Sequence, residues 1–199
     1  MQLEALYRLD YPLYDSNAAD GVLPTRYDPA LRIENQPLGL LFQFTAQPMG
    51  LSLELEADAV QVRWQWCNVD SFLAGEAYFG YPSPVLPGSA LGELVGSELQ
   101  KICFGLVGGY TPTETSGVWR WLEKMKALVG SRTRGESLFF GVKLQFEVKS
   151  LVFVNQADEG YYLFEDTQEY YQYFKWFKGF LGQPVWVEQP QLLAQLAQA

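Results

Sequence analysis

The chain has 199 residues, of which 48% are hydrophobic and 19% charged, a composition typical of a folded globular protein rather than a disordered one. Its net charge of −9 comes from the first half, because residues 1–98 hold thirteen acidic residues against four arginines, while residues 99–199 hold ten of each sign. This charge disfavours autonomous binding to a phosphate backbone, and the absence of histidine excludes imidazole catalysis and histidine-containing zinc sites.

The first half begins with a short predicted strand near Leu3–Leu9, followed by proline-rich, irregular chain as far as residue 37. The run LGLLFQF, residues 38–44, predicts a further strand. Residues 51–67 alternate apolar and polar side chains on both arms of a hairpin, which predicts an antiparallel pair with Glu54 facing water. This hairpin is the clearest element in the sequence.

The segment VLPGSALGELVGSELQKICFG, residues 85–105, predicts a helix that follows a Pro-Gly break and is capped by Ser89. Gly92 and Gly96 are four residues apart, so in a helix they would line a groove that another backbone could approach closely. We therefore expect a packing or docking face here. The apolar side of this predicted helix comprises Leu91, Leu94, Val95, Leu99, Ile102 and Cys103.

The second half predicts a helix over Val118–Val129, then an antiparallel hairpin region near 138–165. Asp166 and Glu169 have the spacing of a capping box at the start of the next helix. A short strand, PVWV, and an amphipathic terminal helix entered through Pro190 complete the chain.

These elements predict an α+β fold in a single domain spanning residues 1–199, with residues 1–37 partly irregular. We expect an antiparallel sheet, containing the hairpins near 51–67 and 138–165, with about three to four helices packed mainly on one face.

Aromatic residues are concentrated between residues 161 and 180, where they occupy ten of twenty positions. One helical stripe can be buried, but Tyr171 and Trp176 project away from it, and Tyr161 and Tyr162 point to opposite faces of a strand. The pattern predicts a partner-binding surface formed by Tyr161, Tyr162, Tyr171 and Trp176, together with Gly92 and Gly96. The alternatives are an unusually large core or, third, stacking of nucleotide bases.

The basic concentration that includes Lys124, Arg132 and Arg134 could contact RNA phosphates or an acidic partner, or be an ordinary solvated face. Cys67 and Cys103 lie in apolar segments and are expected to be buried free thiols, which favours a reducing, cytoplasmic location. No arrangement of residues predicts a catalytic, cofactor or metal site.

The run Y-P-S-P-V-L-P-G-S-A-L, followed by a predicted helix and F-G, resembles the P-G-S-S-L-K-G-x-L-R segment of the RAMP superfamily, the RRM-derived subunits of CRISPR effector complexes. The resemblance covers residues 82–105. In that family the loop and the helix support an RNA-binding crest, and basic residues follow the Pro-Gly-Ser. Here Gly92 and Glu93 replace the Lys-Gly pair, and Gly96 lies near the position of the arginine. The resemblance thus implies a common lineage with that family. The missing basic residues imply contact with a neighbouring protein rather than with RNA.

The combined expectation is a non-catalytic accessory or structural subunit that acts through protein–protein contacts in a larger assembly, such as an RNA-guided complex of antiviral defence. We expect this chain to contact RNA at most indirectly, through the assembly, or through a local patch of its surface. The alternative is a stand-alone acidic inhibitor or immunity protein that blocks a basic nuclease or another nucleic-acid-binding enzyme. An enzyme based on carboxylates or tyrosine is the third hypothesis.

Overall fold

The computed structural model describes residues 1–10, 36–45, 49–55, 62–74, 81–107, 138–156, 159–181 and 184–198. In these ranges the chain forms two antiparallel sheets of five strands each, together with three α-helices and one 3₁₀ turn. Antiparallel pairing, predicted from the alternating segments, is confirmed. The single predicted sheet is in fact two sheets.

The first sheet has the strand order β4-β3-β2-β1-β5. The predicted hairpin is confirmed and lies at one edge of this sheet, with Leu53 opposite Trp64 and Leu51 opposite Trp66. The strands are β1 (Leu3–Asp10), β2 (Gly39–Phe44), β3 (Met49–Leu55), β4 (Val62–Asn68) and β5 (Tyr81–Pro84).

The second sheet has the order β10-β6-β7-β8-β9. The apolar run after residue 137 forms two strands. The chain reverses at Glu147 and Val148, and the Phe146 N–H donates a hydrogen bond to the Lys149 carbonyl across this turn. The strands are β6 (Leu99–Val107), β7 (Leu138–Phe146), β8 (Ser150–Gln156), β9 (Glu159–Phe164) and β10 (Pro184–Glu188).

The two sheets pack face to face over one shared hydrophobic core. Phe42 of the first sheet and Phe146 of the second stack across this core with ring centroids 6.3 Å apart. Leu6, Leu53 and Leu144 are completely or almost completely buried beside them. Alternating apolar side chains thus supply one inward face from each sheet.

The predicted helix after Ser89 is wrong over most of its length. The Ser89 hydroxyl does accept a bond from Gly92 N–H at 3.1 Å, but only a 3₁₀ turn, Gly92–Leu94, follows before the chain enters β6. A β-bulge between Leu99 and Lys101 breaks the two-residue alternation of β6. It therefore gives the buried residues of the strand a spacing that resembles a helical stripe.

The helices occupy different places rather than one face of a sheet. Helix α1 (Val69–Ala74) follows β4 directly, α2 (Gln168–Leu181) covers the outer face of the second sheet, and α3 (Pro190–Gln198) contacts β6 beside the shared core. The predicted packing of three to four helices on one face is thus not confirmed. The predicted helix Val118–Val129 lies outside the described residues.

The N-terminal cap of α2 also differs from the prediction. Thr167 is the cap, because its hydroxyl accepts the Tyr170 N–H at 3.2 Å. Asp166 instead has a positive φ of 69° and accepts a bond from the Tyr171 hydroxyl. The capping function is therefore shifted by one residue, and Glu169 is not in the position that a capping box requires.

Candidate protein interface on the second sheet

An aromatic layer lies between the outer face of the second sheet and helix α2. Phe140 of β7 is its centre, with ring centroids 4.6 Å from Phe177 and 5.3 Å from Trp186. Phe177 is 2% exposed, and the predicted inward stripe of α2 is confirmed. Aromatic pairs of this kind stabilise by roughly 0.5–1.5 kcal/mol beyond the burial of their area. The layer is a second core that packs α2 against the sheet.

Trp176 is the exposed end of this layer on the side of β9. Its ring centroid lies 6.4 Å from that of Tyr173, and the Tyr173 ring stacks at 6.3 Å on Tyr161 of β9. Trp176 is nevertheless 48% exposed. A large amphipathic ring held by packed neighbours but open to solvent is typical of an interface hot spot.

Tyr171 is exposed on the opposite flank of α2. Five helical positions separate it from Trp176, a rotation of about 140° around the helix. Tyr171 is 59% exposed, and its hydroxyl donates to Asp166 Oδ1 at 3.2 Å. This hydrogen bond and the nearby negative charge of Asp166 raise the pKa of the Tyr171 hydroxyl. Tyr171 and Trp176 therefore do not form one continuous patch.

The two remaining predicted tyrosines lie behind the surface. Tyr161 is half-buried beneath Tyr173, whereas Tyr162 points to the other side of β9 and is buried in the core shared by the sheets. Tyr162 therefore does not contribute to the exposed surface. Of the four predicted aromatic contacts, Trp176 and Tyr171 have the accessibility that a partner needs, and their role in binding stays a prediction.

A second exposed apolar surface, which the sequence reasoning missed, lies on β10. Val185 and Val187 are 54% and 39% exposed. They stand opposite Leu106 and Phe104 of β6, which are partly exposed on the same face. The V-W-V alternation indicated a strand, but nothing in the sequence showed that this strand lies at the edge of a sheet.

Gly92 and Gly96 do not line a helical groove. A Cβ atom on Gly92 would collide with the carbonyl oxygen of Leu86, so this glycine permits the tight turn before β6. Gly96 has a φ of +88° and opens onto solvent. Both glycines thus shape a loop. The Glu93 carboxylate of that loop pairs with Lys149 Nζ at 2.6 Å.

The predicted contacts to RNA or to an anion, Lys124, Arg132 and Arg134, lie outside the described residues. Among the residues that the structure does describe, no three metal-ligating side chains come together.

Glu54 is buried, which corrects the prediction that it faces water. It lies on the side of the first sheet opposite the shared core, where Leu9 and Leu41 are also fully buried. Its carboxylate accepts bonds from the Ser52 hydroxyl and from Gln65 Nε2. Because the first sheet is covered on both faces here, alternation alone could not assign this side to solvent.

A second buried polar group connects β1 with β5. Arg8 Nη2 lies 2.8 Å from Asp10 Oδ1, and the Ser83 hydroxyl donates to Asp10 Oδ2 at 3.0 Å. Arg8 and Asp10 are almost completely buried. This geometry stabilises the end of the sheet through charge-assisted hydrogen bonds.

The two cysteines are free thiols, as predicted, but only Cys103 is buried, and Cys67 is partly exposed. Burial, together with the charge of Glu54, raises the pKa of Cys67 to about 11, and burial likewise raises the pKa of Cys103. Since the thiolate is the reactive form, both residues are poor nucleophiles near neutral pH.

Comparisons with protein-family models, with curated proteins and with solved structures found no match to this chain. None of the described helices is long and apolar enough to cross a membrane.

Proposed function

We propose that this protein is a non-catalytic subunit or accessory protein that acts through protein–protein contacts in a larger assembly, of which an RNA-guided CRISPR-type effector complex is the most specific candidate. The observation that carries the proposal is the exposed Trp176 ring at the end of the packed aromatic layer.

The packing beneath this surface favours binding. Trp176 contacts Tyr173, which in turn packs against Phe177 and Tyr161, so the indole is held before a partner arrives. A pre-organised aromatic side chain loses little conformational entropy on binding. Truncation of such an anchor typically weakens a complex by about 2 kcal/mol or more.

The buried polar groups described above support a structural rather than a chemical role. Arg8 pairs with Asp10, and Ser52 pairs with Glu54, so these groups satisfy one another inside the fold. The Pro-Gly-Ser step within residues 82–105 supports the choice of an RNA-guided assembly through its resemblance to the RAMP superfamily, whereas the helix of that resemblance is only the 3₁₀ turn Gly92–Leu94 in this chain. The departures from its basic positions favour a protein neighbour over RNA.

The proposal is tested by purifying the tagged protein from its native cells and measuring the mass and composition of the complex by size-exclusion light scattering. We expect several stoichiometric protein partners, accompanied by RNA. Trp176→Ala should release at least one partner. Val148→Ala, at an exposed apolar residue of the turn between β7 and β8, is the matched control and should release none.

A one-to-one complex with a single basic enzyme would overturn the proposal in favour of an acidic inhibitor. Retention of every partner by Trp176→Ala would exclude the aromatic surface as the binding site.

A further inference from the structure

Strand β10 is a sheet edge whose outward backbone groups can be assigned. Gln189 N–H donates to the Ile102 carbonyl at 2.7 Å, which fixes the residues that bond to β6. By the alternation of an antiparallel pair, Val185 and Val187 also bond toward β6, while the backbone groups of Trp186 and Glu188 point away from it. In the part of the chain that the structure describes, no strand lies beyond β10.

Within the described residues, the middle of this edge carries no device that blocks pairing, although the strand is short and has Pro184 and Glu188 at its ends. Natural edges are commonly interrupted by lysine, by a bulge or by a central proline. Between Pro184 and Glu188, the strand consists of Val185, Trp186 and Val187 in regular register with β6. Both valines are exposed, and they continue the apolar surface of Phe104 and Leu106.

We propose that β10 pairs with β10 of a second copy of this chain, in antiparallel orientation about a two-fold axis at Trp186, to give a homodimer with a continuous ten-stranded sheet. The sequence V-W-V is symmetric about Trp186. In an antiparallel pair of two copies, tryptophan therefore lies opposite tryptophan and valine lies opposite valine. The proposal stands on the geometry of β10 and does not depend on the proposed function.

The backbone groups complement each other in this register. Each Trp186 exchanges two hydrogen bonds with Trp186 of the second copy, and each Glu188 N–H meets a Pro184 carbonyl. Pro184 has no N–H to donate, but in this register it contributes only its carbonyl, as the acceptor for the Glu188 N–H of the second copy. All outward N–H groups of the two strands thus find an acceptor.

The side chains match as well. Val185 lies opposite Val187 of the second copy in the closely spaced, non-hydrogen-bonded type of pair, where β-branched side chains contact each other well. The two-fold axis repeats this contact, so four valines form one apolar cluster. These valines account for two of the large apolar side chains that the single chain leaves exposed.

The charge distribution favours a second copy at this edge. The excess negative charge lies in residues 1–98, whereas residues 99–199 are neutral overall, so pairing at β10 brings the neutral halves together. Glu188 already pairs with Lys101 at 3.5 Å. In the proposed register the two Glu188 residues are about 13 Å apart along the strands, beyond the screening length at physiological salt.

The experiment is sedimentation equilibrium of the purified full chain over a series of concentrations. The wild type should approach about 45 kDa, twice the chain mass of 22.6 kDa. The double variant Val185→Lys and Val187→Lys, which sets lysine opposite lysine, should raise the dissociation constant by about 100-fold or more. Val148→Lys, at an exposed valine in the β7–β8 turn, is the matched control and should remain dimeric.

Charge complementation tests the register. A variant with glutamate at both valine positions should be monomeric alone, but an equimolar mixture with the lysine variant should restore the dimer. Glu188→Pro provides an independent test, because it removes one outward N–H from each chain without removing a backbone hydrogen bond to β6, and it should also favour the monomer.

The proposal is overturned if the wild type remains at 22.6 kDa throughout the series. A dimer that persists in the double lysine variant and in Glu188→Pro would place the contact elsewhere. A mixture of lysine and glutamate variants that stays monomeric would exclude the pairing of the two edges.

Discussion

Helix α2 combines a buried ring and an exposed ring one position apart, and truncating the buried ring should cost far more stability than truncating the exposed one. Phe177 is 2% exposed and its ring packs 4.6 Å from Phe140, whereas Trp176 is 48% exposed. Phe177→Ala removes a buried ring and leaves a cavity, so it should lower the free energy of unfolding by about 3–5 kcal/mol. Trp176→Ala creates no enclosed cavity and should cost about 1 kcal/mol or less.

Urea unfolding measured by circular dichroism is the assay for this pair. The unfolding midpoint of Phe177→Ala should fall steeply at an unchanged m-value. For a chain of this length, a loss of 3–5 kcal/mol lowers the melting temperature by about 6–20 °C. Tyr171→Ala, at a still more exposed position of the same helix, is the control for truncating an aromatic ring on α2.

Two results would refute this reasoning. A cost below about 1 kcal/mol for Phe177→Ala would show that the aromatic layer does not hold α2 on the sheet. A cost for Trp176→Ala comparable to that of Phe177→Ala would show that Trp176 belongs to the core, and would remove the observation on which the proposed interface depends.

Three further predictions concern buried pairing, capping and ionisation. Asp10→Ala leaves the Arg8 guanidinium buried without its carboxylate and should cost about 3–5 kcal/mol in urea unfolding; a cost below about 1 kcal/mol would contradict the buried ion pair. Thr167→Ala should cost about 1 kcal/mol, whereas Asp166→Gly, which relieves a positive φ, should not lower stability; the reverse order would identify Asp166 as the cap. Because burial raises the pKa of Cys67 from 9.0 to about 11, its contribution to stability is complete below pH 9 and is lost as the pH rises to 11. The stability of Cys67→Ala should therefore fall less than that of the wild type between pH 9 and 11, and parallel pH profiles would contradict the assignment.

The sequence determined those elements whose pattern of apolar and polar residues depends only on residues close to one another in the chain. The β3–β4 hairpin followed from strict alternation on both arms, and the inward stripe of α2 followed from its helical spacing. The exposure of Tyr171 and Trp176 was predictable for the same reason, because a helix fixes the directions of its side chains.

Local pattern was misleading where a bulge or the rest of the fold intervened. The irregular spacing at Leu99 and Ile102 resembles a helix, but it arises from a bulge in β6. Glu54 sits on the polar side of an alternating strand and is still buried, because the first sheet is covered on both faces there. No neighbour in the sequence carries that information.

Only the tertiary structure decided how the strands divide into two sheets and which of them lie at an edge. Phe42 and Phe146 are more than a hundred residues apart and meet only because the sheets pack face to face. The PVWV strand has the same local sequence whether it is central or at an edge. Its partner, β6, is some eighty residues earlier in the chain, and the open side of β10 exists because of that long-range pairing.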